Sequence, residues 1–154
     1  MDRRPADAGW ADVYQRERDG LVRLAYLLTG SQAVAEDLVQ DTFVRVMARL
    51  GRADDPGAYL RRSVVNACYS WHRRHRREVL FAGNERFSAH VDAHQVEMWD
   101  ALARLSPRRR AVLVLRYYLD LPEAEVAATL RCRVGTVKST AHRALEDLRR
   151  MLDS

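Results

Sequence analysis

Lys138, Ser139, His142 and Arg143 are interleaved with Val137, Ala141, Ala144, Leu145 and Leu148. The apolar set recurs at three- and four-residue steps and makes a packing stripe. The polar set falls outside that stripe, so hydrogen-bonding side chains are separated from core-forming ones. That division is what a helix reading base edges in the major groove requires. Upstream, Glu123 to Leu130 spells a short amphipathic helix with Val126, Ala127 and Leu130 on one face, and Arg131-Cys-Arg133 supplies a turn. Together these segments read as a helix-turn-helix. The same spacing also suits an ordinary amphipathic helix with a solvated basic face.

A second set of chemically capable side chains lies in Tyr59-Leu-Arg-Arg-Ser-Val-Val-Asn-Ala-Cys-Tyr-Ser-Trp-His-Arg-Arg-His-Arg-Arg77. Arg61, Arg62, Arg73, Arg74, Arg76 and Arg77 suit phosphate contacts. Tyr59, Tyr69 and Trp71 offer rings on which unpaired bases can stack, and Asn66 places an amide among them. Charge to follow a backbone and rings to hold splayed bases are what single-stranded nucleic acid demands. Tyrosine and tryptophan on a helix serve equally well as core, and the run from Arg73 to Arg77 serves equally well as a solvated helix end. Nucleic acid is favoured because this patch and the helix-turn-helix occur in one short chain.

Helices must position both groups, since no alternating strand pattern is present. Leu21, Leu24, Ala25, Leu27 and Leu28 build an apolar helix that stops at Thr29-Gly30, and Ser31 caps the next segment. In that segment Val39, Phe43, Val46, Met47 and Leu50 share one face, with Asp37, Gln40 and Asp41 on the other. Asp55-Pro56 starts the helix that carries the basic-aromatic set. From Val79 to about His94 the periodicity breaks around Gly83-Asn84 and Ser88, which predicts a linker. Helical spacing restarts at Trp99, Leu102 and Leu105, and Ser106-Pro107 opens a helix through Val112, Leu115 and Tyr118 that ends near Asp120. The expected fold class is all-α: two small helical domains, residues 10–78 and 96–154, joined by a short linker at 79–95.

The 154 residues are enough for one substantial core or two modest ones. The net charge is +5, unevenly spread. Residues 1–55 carry 8 basic and 10 acidic side chains, 56–95 carry 7 and 3, and 96–154 carry 11 and 8. An acid-leaning start and a basic remainder suggest one surface for a protein partner and others for a polyanion. Of 26 basic residues only Lys138 is lysine, which suggests a high-GC genome rather than a mechanism. Met1 to Gly20 is polar, unlike a signal peptide, and no apolar run is long enough to span a bilayer. Two cysteines, Cys68 and Cys132, do not make a disulfide framework, and a cytoplasmic setting is expected.

In this order and spacing, the motifs resemble those of an extracytoplasmic-function (group IV) sigma factor of the sigma-70 family, and most of all its actinobacterial SigE-like group. Ala25-Tyr-Leu-Leu-Thr-Gly30, Ala35-Glu-Asp-Leu-Val-Gln-Asp-Thr-Phe43, Asp55-Pro-Gly-Ala-Tyr-Leu-Arg-Arg62 and Val65-Asn66 are similar to its region two. Leu105-Ser-Pro-Arg-Arg-Arg-Ala-Val-Leu-Val-Leu-Arg-Tyr-Tyr118 and Val134-Gly-Thr-Val-Lys-Ser139 are similar to its region four. The resemblance implies a region-two helical bundle, a region-four helix-turn-helix and a protein that binds core RNA polymerase to direct promoter-specific transcription initiation. It implies that the helix holding Asp37, Leu38, Gln40, Asp41 and Phe43 docks on the β′ clamp helices, and the β flap is a further implied polymerase contact. It implies that Asn66, with Tyr59 and the loop from Leu50 to Pro56, holds a flipped base of the −10 element. Arg61, Arg62, Trp71, Arg73, Arg74, Arg76 and Arg77 then belong to the melting surface, and Lys138, Ser139, His142 and Arg143 to −35 recognition. Promoter DNA and an anti-sigma factor are further implied partners; no cofactor, metal or membrane is implied, and the free protein is expected to be a monomer.

Four positions depart from the family pattern. Arg131 stands where the turn usually carries glycine, Arg133 where a serine usually caps the recognition helix, and Pro122 where a serine often opens the preceding one. Each missing cap costs about 1 kcal/mol. Thr140 replaces a commonly basic residue. Catalysis finds little support. Cys68, His72 and His75 share a helical face that zinc could use, but Cys68 sits on the apolar side, the histidines lie in a basic run and no fourth ligand is apparent. No Ser-His-Asp arrangement, phosphate-cradling loop or paired apolar carboxylate is present. Two non-enzymatic alternatives stay open: a dimeric helix-turn-helix repressor or activator, and a sigma-like adaptor that does not open promoters.

Overall fold

A computed structural model of the chain describes residues 5–50, 52–75 and 100–153. The first three helices are α1 (Pro5–Thr29), α2 (Gln32–Leu50) and α3 (Pro56–Arg74). Their ends follow local chemistry. Gly30 adopts φ +80° and donates its N–H to the Tyr26 carbonyl at 2.7 Å, closing α1 with the left-handed residue that glycine accommodates without strain. Ser31 Oγ accepts the Val34 N–H at 3.3 Å and opens α2. Asp55 accepts the Ala58 N–H at 3.1 Å with Pro56 in the first turn of α3.

After a helical turn at 100–104, α4 (Pro107–Leu113) starts at Ser106, which accepts the Arg109 N–H at 3.3 Å. It runs into a π-helical turn, Val114–Tyr118, which the sequence pattern did not separate from an ordinary helix. There follow α5 (Glu123–Leu130) and α6 (Val134–Asp153). Pro122 offers α5 no side-chain cap, as expected, but Glu123 and Glu125 place negative charge in its first turn, where the helix dipole favours it.

The halves on either side of residues 76–99 share one apolar cluster. Leu24, Val39, Leu60, Val64 and Val65 of the first half join Val112, Leu115, Val126 and Val137 of the second. Leu105, Leu113 and Ala144 form a smaller satellite cluster against Leu148 and Met151. The two small helical units expected from the sequence are packed against each other through α3, α4 and α5. Of the two possibilities left open, one substantial core or two modest ones, the chain thus builds one main cluster with a small satellite. Met47, assigned above to the core face of α2, is instead 40% exposed.

Arg110 lies at the junction and is only 3% exposed. Its guanidinium donates to the carbonyls of Leu102 (2.8 Å), Ala103 (3.0 Å) and Leu105 (3.1 Å) in its own half and of Leu28 (2.8 Å) across the junction. These oxygens lie at or just beyond the ends of the 100–104 turn and of α1, where helical carbonyls carry the negative end of the dipole; that of Leu102 also accepts the Leu105 N–H at 3.1 Å. Burial lowers the Arg110 pKa to about 10, so it remains a cation at neutral pH. The Leu28 carbonyl also meets the ring of buried His72. Burial lowers the His72 pKa, the Leu28 hydrogen bond opposes that, and the Arg110 charge lowers it further. His72, which its sequence neighbours place in a basic run, is thus buried, with its ring facing inward against the end of α1.

Candidate nucleic-acid interface

Packing divides α6 into two faces. Val137, Ala141 and Ala144 are buried, whereas Lys138, Ser139, His142 and Arg143 are all exposed. The exposed groups are only lightly engaged: Lys138 lies 3.8 Å from Glu123, His142 is 3.1 Å from Glu146, and Ser139 donates to the Thr136 carbonyl at 3.1 Å. One turn beyond Arg143, Asp147 pairs with both Arg109 and Arg150 and holds α4 against α6. The separation of roles expected of a groove-reading helix is present in three dimensions.

Along α3, Tyr59, Arg62, Asn66 and Arg73 fall on one stripe, at steps of three, four and seven residues. Asn66 is half-buried, Tyr59 packs against the core cluster, and Arg73 and Arg74 are exposed. Trp71 is half-buried and stacks on His75, with ring centroids 4.9 Å apart. The Tyr69 ring packs into the junction, where burial raises its hydroxyl pKa to about 12. Cys68 is buried and its thiol is pushed up to about 12 by the same cause, while His75 Nδ1 meets the Trp71 carbonyl at 2.9 Å. Arg76 and Arg77, like the linker at 79–95, lie outside the described residues.

Arg61 and Arg62 have a partner that the sequence did not reveal. Glu125 of α5 sits 2.8 Å from Arg62 and 3.7 Å from Arg61. The three side chains line an open cleft of about 990 Å³ between the loop at 52–55 and the start of α5, with Arg49, Arg52 and Tyr59 on its other walls. Spacing along the chain gave no signal for Glu125, because 63 residues separate it from Arg62.

On α2, Asp37, Gln40 and Asp41 are exposed, whereas Leu38 and Phe43 turn inward against the core, Phe43 meeting the Tyr14 ring at 4.4 Å. The exposed stripe instead continues through Val44, 63% exposed, an apolar group that the sequence reading left out.

Residues 13–78 match the family described as Sigma-70 region 2, and residues 95–148 match Sigma-70, region 4. The chain is 38% identical over 153 residues to an RNA polymerase sigma-E factor of Streptomyces avermitilis, an alignment covering 93% of this chain and 85% of that protein. The chain belongs to the sigma-70 family. Within it, this sigma factor is of the extracytoplasmic-function type. It is 34% identical to the ECF RNA polymerase sigma factor SigE of Mycolicibacterium smegmatis, covering 91% of this chain and 60% of that one. The fold agrees. A co-crystal structure of the sigma factor RpoE with the anti-sigma factor NepR from Bartonella quintana superposes with a TM-score of 0.77 at 25% identity, over 94% of this chain and 97% of that one. Sigma factors of this type direct promoter-specific transcription initiation with RNA polymerase, and the family is not one of catalysts. Among the described residues, no helix is long and apolar enough to cross a membrane.

Proposed function

We propose that this sigma factor divides its work between two units, residues 10–78 for polymerase docking and the −10 element and residues 96–154 for the −35 element. The observation that carries the reading is the two-faced α6, with Lys138, Ser139, His142 and Arg143 open to a DNA groove and Val137, Ala141 and Ala144 in the core. Lysine and arginine can donate to guanine edges, serine to several bases, and any of them to phosphate. In the first unit, Asn66 and Tyr59 receive an extruded −10 base, while Arg61, Arg62, Trp71, Arg73, Arg74, Arg76 and Arg77 attend the melted strand. Extrusion costs a few kcal/mol of stacking and pairing, which contacts in the pocket must offset. Glu125 now holds two of those arginines, so a strand using them displaces its carboxylate and loosens the packing of α5 on α3.

Core polymerase docks on α2 through Asp37, Gln40 and Asp41, with Leu38 and Phe43 fixing the helix from beneath; the β′ clamp helices and the β flap are the expected contacts. The protein works in the cytoplasm, as a monomer when free, without cofactor or catalytic residues of its own. An anti-sigma factor is a further partner in this reading, since the Bartonella relative was crystallised with one.

Reversing charge at two docking positions tests the assignment. Asp37→Arg with Asp41→Arg is expected to weaken binding to core polymerase at least tenfold, about 1.4 kcal/mol, with no loss of thermal stability, because both side chains are exposed and chiefly set complementarity. Competition against the wild-type protein for core polymerase measures it. Equal competition by a folded double variant removes α2 from the docking surface.

A further inference from the structure

Arg131 joins α5 to α6, and its backbone is left-handed, with φ 55° and ψ 47°. A side chain in that conformation crowds its own backbone, a strain that glycine escapes. Among the described residues one other non-glycine position has positive φ, Asp120, whose residue type tolerates it and whose carboxylate lies 3.9 Å from Arg116. Arginine has no such local compensation. The Arg131 side chain is exposed and makes no hydrogen bond or ion pair with the described residues. The conformation is held by the backbone alone, the Arg131 and Cys132 N–H groups both donating to the Ala127 carbonyl. A strained position is thus occupied by a long cation that gives the fold nothing in return.

What it offers is charge at one particular place. Arg133, also exposed and without an ion pair among the described residues, follows two positions later, and the open face of α6 begins directly after. Arg109 and Arg150, in the same half, are by contrast committed to Asp147. In a helix-turn-helix, the start of the second helix enters the groove while the first crosses the backbone, which brings the turn between them to the groove edge. We propose that Arg131, assisted by Arg133, is a phosphate contact of the −35 complex, adding affinity without sequence choice, and that the left-handed strain is tolerated for that contact. The inference rests on the −35 reading of α6.

The signature is a trade of opposite signs. In Arg131→Gly the free protein is expected to gain about 2–4 °C in Tm, from relief of a strain of ordinary left-handed size. Holoenzyme carrying it is expected to bind promoters selected by the wild-type holoenzyme from a random library about 3–10-fold more weakly at 0.1 M KCl. The loss falls equally on all −35 sequences, and the slope of log affinity against log salt shrinks by about 1. Arg131→Lys keeps the charge and the strained backbone and stays close to wild type in both readouts. A glycine variant that gains stability and binds with unchanged affinity and salt slope overturns the contact; one that loses stability overturns the strain argument. Lys138→Ala with Arg143→Ala separates this failure from a failure of the reading beneath it. If that pair loses −35 use while Arg131→Gly does not, only the Arg131 contact is wrong; if neither changes −35 use, the assignment of α6 falls, and the contact with it.

Discussion

Replacing Arg110 with methionine is expected to destabilise the protein by about 3–5 kcal/mol, a large part of the 5–15 kcal/mol that holds a domain of ordinary stability together. Methionine fills much of the space but removes the donor shared by the carbonyls of Leu28, Leu102, Ala103 and Leu105, of which Leu28 keeps His72 and Leu102 keeps the Leu105 N–H. Charge-assisted hydrogen bonds of this kind contribute about 1.5–3 kcal/mol each, and less than their sum when they share one group. Arg110→Lys should recover little, because an ammonium on a flexible stem does not reproduce a planar fork. Urea unfolding followed by circular dichroism measures both variants. A loss below about 1 kcal/mol for Arg110→Met means that water or a neighbouring group replaces the guanidinium.

Asn66→Ala is expected to reduce open-complex formation by about tenfold to a hundredfold, the loss of one or two hydrogen bonds to a base that is available only after extrusion. Duplex recognition through α6 should be unaffected. A template already unpaired over the −10 element should rescue the variant in part: melting no longer limits it, but the pocket still holds the base less well. Permanganate reactivity of the −10 strand, on duplex and on premelted templates, follows the effect. If Asn66→Ala alters only the preference for −35 sequences and melts promoters normally, the two DNA functions have been assigned to the wrong halves.

What the sequence made legible was local. The Asp55-Pro56 and Ser106-Pro107 starts and the Gly30 stop each depend on side chains within a few residues of the backbone groups they satisfy, so spacing alone located them. The faces of α6 were legible for the same reason, since a single period fixes which side chains share a side. Contacts between distant segments were not. Nothing in Arg108-Arg109-Arg110 distinguishes the arginine that turns inward toward the end of α1. His72 is hidden in the same way, and nothing near Glu125 in the chain marks it as the partner of Arg61 and Arg62. The family resemblance did not supply these contacts either, since it assigns roles to positions and not partners to side chains. Met47 and Val44 were missed on α2, where two neighbouring stripes are both partly apolar and burial depends on how the helix is rolled against α1.

The central claim is that the chain reads promoters only as part of an enzyme it does not itself contain. Each of the two proposed DNA surfaces comprises a few side chains of one helix, and Glu125 holds two arginines of one of them, so neither is expected to supply the contact area of an independent specific binder. Purified protein, with and without core RNA polymerase, should therefore be presented with a random promoter library and the initiating sequences recovered. The account predicts weak, salt-sensitive DNA binding by the monomer alone and initiation from a defined −35 and −10 pair only with core polymerase. Tight, sequence-specific binding by a dimer of the protein alone, with no dependence on polymerase, would contradict it.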